Sequence, residues 1–357
     1  MAITRRVFLG GTAATGISLL IPGCSSHRRL LDATGSSDPV GSPAFRFVHL
    51  TDMHVTPKRM GDKGYAACIE SVRSLAPRPA FALMGGDLAF DGLYTPKRDF
   101  DEQIRLYREI SQGLGVPHYP CMGNHDVLGW SSRRKVEVSD PDLGKRMILD
   151  RLEWESPYYS FDYGGWHFAV LDCIHALETE NGPSYEPRIG AAQLEWLAHD
   201  LAAAGDRPKI CVTHIAAFCN VGQINADPKA LAMGPMVLRD TKELRLVLER
   251  HGVTALLQGH SHRIEEYRFR GVWYLTSAAV SGAWWSGAWV GNAPGYTVFE
   301  CRGGQLSWAH HVFPWEAQLE PEDELERTRT REWNEAEEGQ RRRRDEERAR
   351  VRESRIE

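Results

Sequence analysis

Five short segments of this chain end in side chains that commonly bind metal ions. Neutral imidazole nitrogens mixed with carboxylate and amide oxygens suit divalent manganese, iron, zinc or cobalt, whereas structural zinc sites usually recruit cysteine. A single such pair arises by chance in many chains, but five of them together indicate a metal centre. The segments are Asp52-Met53-His54, Gly86-Asp87, Gly123-Asn124-His125-Asp126, Thr213-His214 and Gly259-His260-Ser261-His262.

The number of candidate ligands indicates how many ions the centre holds. Seven side chains qualify, which exceeds the coordination sphere of a single ion. The residues alone therefore favour a dinuclear site, but they do not say which histidine belongs to which ion. The candidates are Asp52, His54, Asp87, Asn124, His214, His260 and His262.

The order and spacing of these segments resemble the calcineurin-like metallophosphoesterase superfamily, over roughly residues 45–314. The resemblance implies that Asp87 bridges two ions of manganese or iron, with zinc as the alternative. It also implies a phosphoester hydrolase, in which the cations polarise the phosphoryl oxygens and lower the pKa of a bridging water for in-line attack. The implied shells are Asp52, His54, Asp87 and His262 around one ion, and Asp87, Asn124, His214 and His260 around the other.

The same resemblance gives two further residues a catalytic role. His125 is implied to lie near the leaving oxygen, where imidazole is suited to donate a proton. Many relatives orient that histidine with an aspartate three residues after the bridging one; here that position is Phe90, so we expect Asp91 to take over. Phe90 also argues against the purple acid phosphatase branch, which has an iron-binding tyrosine there. The histidine motifs instead resemble the phosphodiesterase branch.

Three function classes remain open at this point. A phosphodiesterase is expected, a phosphomonoesterase of the same fold is the first alternative, and a non-catalytic binding protein is the remote one, since every ligand is present. The substrate-binding candidates are Arg133 and Arg134, which are suited to a second phosphate unless their loop is merely solvated, and His175, which follows a strand pattern at 168–171. Trp284, Trp285 and Trp289 either line the pocket or cover the end of a sheet.

Short apolar runs precede each ligand segment, as is typical of buried strands. Open α/β sheets bind ligands in the crevice beyond the carboxyl ends of their strands. The sequence therefore predicts an α/β fold, a two-sheet β-sandwich flanked by helices, with the metal site on loops at strand C-terminal ends. The strand runs are 45–50, 80–84, 118–122, 209–212 and 255–258, and helical periodicity occurs at 99–112, 191–204 and 241–250.

Composition is that of an ordinary globular protein. A chain of 357 residues that is 42% hydrophobic is long enough for one substantial core. A net charge of −5 gives no electrostatic reason to expect nucleic acid, and the family resemblance implies a small-molecule phosphoester as the partner. No run of 18 or more apolar residues lies in the body of the chain, and no internal membrane span is expected.

The two ends of the chain differ from its body, residues 45–315, which we assign to the metallophosphoesterase domain. Residues 1–24 carry Arg5-Arg6 before an apolar stretch and resemble a twin-arginine signal, which implies passage through the export machinery. Ile21-Pro22-Gly23-Cys24 resembles a lipobox, so we expect either a lipoprotein anchored through Cys24 and facing the periplasm or a soluble periplasmic product. A flexible linker is predicted at 25–44, and a charged tail, helical or disordered, at 316–357.

Overall fold

Two β-sheets form the centre of the computed structural model, which describes residues 44–220 and 236–323. The first sheet contains β1 (Phe45–Leu50), β2 (Phe81–Met84), β3 (His118–Pro120), β12 (Gly295–Arg302) and β13 (Gln305–Val312). The second contains β4 (Tyr159–Tyr163), β5 (Trp166–Val170), β8 (Lys209–Val212), β9 (Ala255–Gln258), β10 (Glu265–Phe269) and β11 (Val272–Thr276). A separate hairpin consists of β6 (Ile174–Thr179) and β7 (Gly182–Pro187).

Each sheet combines parallel and antiparallel strands, with antiparallel pairing at one edge of the first sheet and at both edges of the second. The first sheet runs in the order β13-β12-β1-β2-β3, with β1, β2 and β3 parallel to one another. The second runs β10-β11-β9-β8-β5-β4, with β5, β8, β9 and β11 parallel. Because parallel strands end at the same edge, the loops that follow them converge there.

Alternation along the strands divides the core into an inter-sheet layer and outer layers. Phe47 stacks on Phe81 of the neighbouring strand at a centroid distance of 5.2 Å and meets Phe168 of the opposite sheet edge-on at 5.6 Å. Val48 and Ala82, the next residues along their strands, belong instead to the cluster that packs with the helices. This period of two is the geometry of a strand buried on both faces.

Helices cover the outer faces of both sheets. They are α1 (Gly61–Arg73), α2 (Lys97–Ser111), α3 (Arg146–Leu152), α4 (Ala191–Ala203) and α5 (Thr241–Arg250). Helix α1 is joined to β12 by a 2.9 Å hydrogen bond between Ser71 Oγ and Tyr296 Oη. On the second sheet, His167 Nε2 lies 2.8 Å from Asp200 Oδ2 of α4. The predicted two-sheet α/β sandwich flanked by helices is therefore confirmed, including the helices expected near 99–112, 191–204 and 241–250.

Several predictions concern residues at the ends of the chain. The export signal and lipobox of 1–24, residues 25–43 of the linker and the tail beyond 323 lie outside the described residues, so those predictions stay predictions. The first residues of the predicted tail are described, and buried Asp323 pairs with Arg59 at 2.5 Å. Within the described ranges, no helix is both long and apolar enough to cross a bilayer.

Candidate metal centre

All seven predicted ligands lie on loops that follow parallel strands of the two sheets. Three loops leave β1, β2 and β3, and two leave β8 and β9, so the site is built from the same edge of both sheets. Backbone hydrogen bonds join neighbouring loops: Asp52 N donates to Gly86 O at 3.0 Å, and His54 N donates to Asp87 O at 2.8 Å. The ligand loops therefore hold one another in place.

Five of the ligand residues have left-handed backbone conformations. Such a conformation costs a residue other than glycine about 1–2 kcal/mol, but glycine has no ligand atom to offer. Hydrogen bonds offset part of this cost at Asp52, whose carboxylate accepts from Thr51 Oγ1 at 2.8 Å and from His260 N at 3.1 Å. The φ angles are 55° at Asp52, 44° at His54, 51° at Asp87, 70° at His260 and 55° at His262.

The side chains meet in two groups, each with ligand atoms within 4.8 Å of one another. In the first group, His262 Nε2 lies 3.1 Å from His54 Nε2 and 3.3 Å from Asp52 Oδ1. In the second, His214 Nε2 lies 3.1 Å from Asp87 Oδ2, and His260 completes the set. Both groups have the donor types and spacing that a divalent cation requires.

Asp87 lies between the two groups. Its Oδ2 atom is 3.1 Å from His214 Nε2 and 3.5 Å from His54 Nε2 of the other group. Its Oδ1 atom accepts a 2.8 Å hydrogen bond from His125 N, which fixes the carboxylate. This is the position that a carboxylate shared by two ions has to occupy.

Backbone carbonyls orient three of the histidine rings. Nδ1 lies 3.0 Å from Phe90 O in His54, 2.8 Å from Gly85 O in His214 and 2.5 Å from Gly282 O in His262. A carbonyl only accepts, so each Nδ1 has to donate. Nε2 of each ring is thereby directed into the ligand groups, as in metal sites whose histidines are held by outer hydrogen bonds.

Unsatisfied polar atoms test whether metal ions fit here. The buried side-chain atoms without a hydrogen-bond partner in the described residues include His260 Nε2, Asn124 Oδ1 and His214 Nε2, whose 3.1 Å contact with Asp87 Oδ2 is an ion-pair distance that does not meet hydrogen-bond geometry. Leaving such an atom unpaired costs about 1–3 kcal/mol, and three lining one site are explained if each binds a cation. The donors therefore fit two metal ions, with a mixture of nitrogen and oxygen that does not select one metal.

Burial and charge set the protonation of the histidines. Burial lowers the pKa of His54 to about 3 and that of His260 to about 4, so both rings are neutral and able to bind a metal. Burial also acts on His214, but the Asp87 carboxylate outweighs it and raises the pKa of His214 above its ordinary value. A cation entering the second group therefore has to displace a proton from His214.

His125 and Asp91 lie beside the ligand groups. His125 Nδ1 is 3.1 Å from Asp91 Oδ1, so Asp91 lies where an orienting partner of that histidine has to be. Burial lowers the pKa of His125, but Asp87 and Asp91 outweigh it and raise the pKa above its usual value. The His125 side chain is 20% exposed, so it faces both the centre and the solvent side of the site.

The three predicted substrate residues are outside the ligand groups and differ from one another. Arg133 is exposed, and its guanidinium lies 4.4 Å from the ring centroid of Tyr94. Arg134 donates to Ser131 O at 3.0 Å and to Asn181 O at 3.1 Å. His175 is exposed on β6. Their roles in substrate binding stay predictions.

The structure gives different environments to the tryptophans whose roles could not be distinguished from the sequence. The Trp284 ring lies 4.3 Å from the His262 ring and 5.7 Å from the His54 ring, so it lines the first ligand group. Trp285 is fully buried and donates from Nε1 to His54 O at 2.9 Å. Trp289 packs edge-on against Trp284 at 5.4 Å.

Asp126 supports the site, a role that the sequence analysis missed. It is fully buried, and its carboxylate accepts hydrogen bonds from Gly123 N at 2.8 Å, Leu88 N at 2.8 Å and Ala89 N at 3.0 Å. It thus fastens the loop after β3 to the loop that carries Asp87. The available signal was its spacing, since an acidic residue three positions into a short turn often accepts from the first backbone amides.

Two proteins of named function are similar to this chain. The mouse (Mus musculus) serine/threonine-protein phosphatase CPPED1 is 26% identical over 217 residues, which are 59% of this chain and 62% of that protein. The chain thus spans less than two thirds of the mouse protein. A probable glycerophosphodiester phosphodiesterase GpdQ of Arcobacter nitrofigilis is 24% identical over 214 residues, which are 60% of this chain and 68% of that protein.

A solved structure and a family model complete the comparison. Purple acid phosphatase PPD1 from yellow lupin (Lupinus luteus) seeds aligns with a TM-score of 0.49 and 14% identity, covering 76% of this chain and 52% of that one. The family model for calcineurin-like phosphoesterases matches residues 45–263, which is more than half of the chain. This protein is therefore a member of the calcineurin-like phosphoesterase family.

Proposed function

We propose that this metallophosphoesterase hydrolyses phosphodiesters, with phosphomonoesters as the alternative substrates. The observation that carries the proposal is the position of Asp87, whose Oδ2 atom lies between His54 Nε2 and His214 Nε2. This arrangement provides two adjacent cation sites, with His125 on one side. Two-ion sites of this kind serve hydrolysis at phosphorus.

Most of the side chains in the site would bind the metal ions. Asp52, His54, Asp87 and His262 would hold one ion, and Asp87, Asn124, His214 and His260 the other. When bound, the ions supply charge that polarises the phosphoryl oxygens and makes a water a stronger nucleophile. Manganese or iron is proposed, with zinc as the alternative, because nitrogen and oxygen ligands suit all three metals and the family resemblance favours the first two.

His125 is the proposed general acid. Asp91 Oδ1 accepts from Nδ1, which leaves Nε2 to hold the proton that the leaving oxygen receives. The backbone amide of His125 donates to Asp87 Oδ1, so the proton donor and the shared carboxylate keep a fixed relation. Fixed placement of this kind reduces the ordering needed to reach the transition state.

The printed names of relatives support both substrate classes. The mouse relative is named a phosphatase and the Arcobacter relative a probable phosphodiesterase. The two activities differ in whether the site accepts a second substituent on phosphorus. We favour diesters because the Gly-Asn-His-Asp and Gly-His-x-His segments resemble the phosphodiesterase branch. A non-catalytic binding protein is disfavoured because all seven ligands are present.

A pair of chromogenic substrates tests this proposal. With manganese-loaded full-length protein, bis-p-nitrophenyl phosphate should be hydrolysed with a higher kcat/KM than p-nitrophenyl phosphate. Removal of the metal by a chelator should abolish both activities, and manganese should restore them. The reverse preference would establish a phosphomonoesterase. No turnover of either compound by protein carrying two ions per chain would contradict a hydrolytic function.

We further propose that the protein is exported and retained at the membrane through Cys24, with a soluble periplasmic product as the alternative. The support is the paired Arg5-Arg6 before an apolar stretch and the cysteine that ends the lipobox-like segment. Replacing both arginines with lysine should leave active protein in the cytoplasm, because the arginine pair is a receptor-recognised signal. Cys24→Ser should move exported protein from the membrane fraction to the soluble fraction, since acyl chains supply the anchor.

Cell fractionation with immunodetection measures both outcomes, and the phosphoesterase activity of each fraction shows that the variants fold. Normal export of the lysine variant would contradict the twin-arginine interpretation. Unchanged membrane retention of Cys24→Ser would contradict lipidation and direct attention to the uncleaved signal or the arginine-rich segment at 341–344.

A further inference from the structure

We propose that Arg133, supported on the ring of Tyr94, binds an anionic group on the leaving-group side of the substrate. The preferred substrates would then be phosphoesters whose leaving alcohol carries a carboxylate or a second phosphate. This inference rests on the proposed function, because it uses His125 to define the leaving-group side. It goes further by assigning a charge to the leaving group.

A continuous set of contacts joins Arg133 to the site. The guanidinium carbon lies 4.4 Å from the Tyr94 ring centroid, and that ring lies 6.5 Å from the ring of His125. The distance from the Arg133 guanidinium carbon to the centre of the His125 ring is therefore at most the sum of these two distances. A small leaving group with one charged substituent, and with its reacting oxygen at His125, falls within that upper bound.

Tyr94 belongs to the same hydrogen-bonded turn as the residue that orients His125. Asp91 Oδ1 accepts from Leu93 N at 2.9 Å, and Asp91 Oδ2 accepts from Tyr94 N at 3.3 Å. The same carboxylate lies 3.1 Å from His125 Nδ1. One side chain thus fixes both the proposed acid and the aromatic support, so their separation is set before substrate binds.

The loop that carries Arg133 is fixed in the same way. Arg133 N donates to Ser131 Oγ at 3.1 Å, and Gly129 N donates to Gly92 O at 2.9 Å, which joins this loop to the turn below Tyr94. The neighbouring Arg134 uses its guanidinium for the carbonyls of Ser131 and Asn181. The backbone of Arg133 is therefore held while its side chain remains exposed.

Charge points to the kind of group that Arg133 would bind. In the described part of the chain, the Arg133 guanidinium contacts an aromatic face and has no carboxylate partner. Stacking on an aromatic ring leaves the edge of the guanidinium, with its paired N–H donors, available. Such donors bind carboxylate and phosphate oxygens in a bidentate manner. An anion on the leaving group is thus the group that this arrangement complements.

Two substrates that differ only in this charge test the inference. The probes are 4-carboxyphenyl phosphate and 4-carbamoylphenyl phosphate, whose ring substituent is neutral, each as monoester and as methyl diester, with manganese-loaded full-length protein. Arg133→Gln should lower kcat/KM for the carboxylate by about 10-fold, the scale of one charge-assisted contact. It should change kcat/KM for the carbamoyl compound by less than about 2-fold, because the metal ligands and His125 are untouched.

The matched control is Lys135→Gln, which removes one exposed positive charge from the same loop. It should leave the ratio of the two kcat/KM values within about 2-fold of wild type, since the ammonium of Lys135 is exposed and lacks the planar pair of N–H donors that binds an anion in a bidentate manner. Tyr94→Leu should reduce the ratio as Arg133→Gln does, because the support for the guanidinium is lost. Equal losses on both substrates with Arg133→Gln, or an equal effect of Lys135→Gln, would overturn the inference.

Binding measurements separate this inference from the proposed function. Calorimetry with the non-hydrolysable phosphonate analogues of the two probes reports discrimination without turnover. Tighter binding of the carboxylate analogue that disappears in Arg133→Gln would support the anion site even if neither ester were hydrolysed. Equal affinity of the two analogues for wild-type protein would refute the anion site whatever the catalytic result.

Discussion

Asp87→Asn is expected to weaken both cation sites together and lower kcat/KM by about 10³-fold, the scale of losing a preorganised electrostatic group. The reason is that Asp87 Oδ2 lies 3.1 Å from His214 Nε2 and 3.5 Å from His54 Nε2, so one carboxylate serves two ligand groups. Asparagine retains the shape and can still accept from His125 N through its oxygen. What it loses is the negative charge that two cations would share.

Metal content and kinetics should be measured together on protein purified without chelator and reconstituted with manganese. Wild-type protein should approach two ions per chain, whereas Asp87→Asn should bind each ion more weakly. The matched control is Asp52→Asn, because Asp52 is equally buried but belongs to the first group alone. That variant should weaken the first ion more than the second. Saturation of wild-type protein at one ion, or full retention of one ion by Asp87→Asn, would contradict the shared role of Asp87.

The strands that carry the ligands could be predicted because their signals are local. The run 45–50 is apolar and is followed at once by Asp52 and His54, and the structure has β1 at Phe45–Leu50. The same holds for the runs before Asp87 and His214. Convergence of these segments then follows from general geometry, since parallel strands of a sheet end at one edge.

Helix α1 was not predicted, because what stabilises it is not local. Gly61 and Gly64 lower its intrinsic helix propensity. In the fold they leave room for Trp285, since a Cβ atom at Gly61 would lie 2.6 Å from the Trp285 ring and one at Gly64 would lie 2.3 Å from it. A contact between residues more than 200 positions apart cannot be inferred from periodicity around residue 61.

Adjacent residues of the same type also show that local sequence does not reveal long-range contacts. Arg133 and Arg134 are chemically identical in the sequence, but backbone carbonyls bind the second guanidinium while the first rests on Tyr94. Trp284 and Trp285 likewise divide between lining the ligand group and filling the core. Residue type and spacing predict what a side chain is able to do. The packing of the folded chain determines which of two adjacent residues takes that role.

His125→Ala is expected to leave both cations bound and to lower kcat by about 10² to 10⁴ for substrates with poor leaving groups. The metals should remain because the contact of His125 with Asp87 is made by its backbone amide, which alanine keeps. Only the imidazole is removed, and with it the proposed proton donor. A leaving group of low pKa departs as an anion and needs little help from a proton donor. The loss in kcat should therefore be much smaller for nitrophenyl esters than for alkyl esters.

The measurement is kcat for a series of phosphodiesters graded by the pKa of the leaving alcohol, for wild type, His125→Ala and Asp91→Asn. For His125→Ala, kcat should depend more steeply on that pKa than in wild type. Asp91→Asn should give a smaller loss of the same kind, because an amide oxygen can still accept from His125 Nδ1 while the charge beside the ring is removed. A uniform loss across the series, with or without loss of metal, would mean that His125 supports the ligand groups and does not transfer the proton.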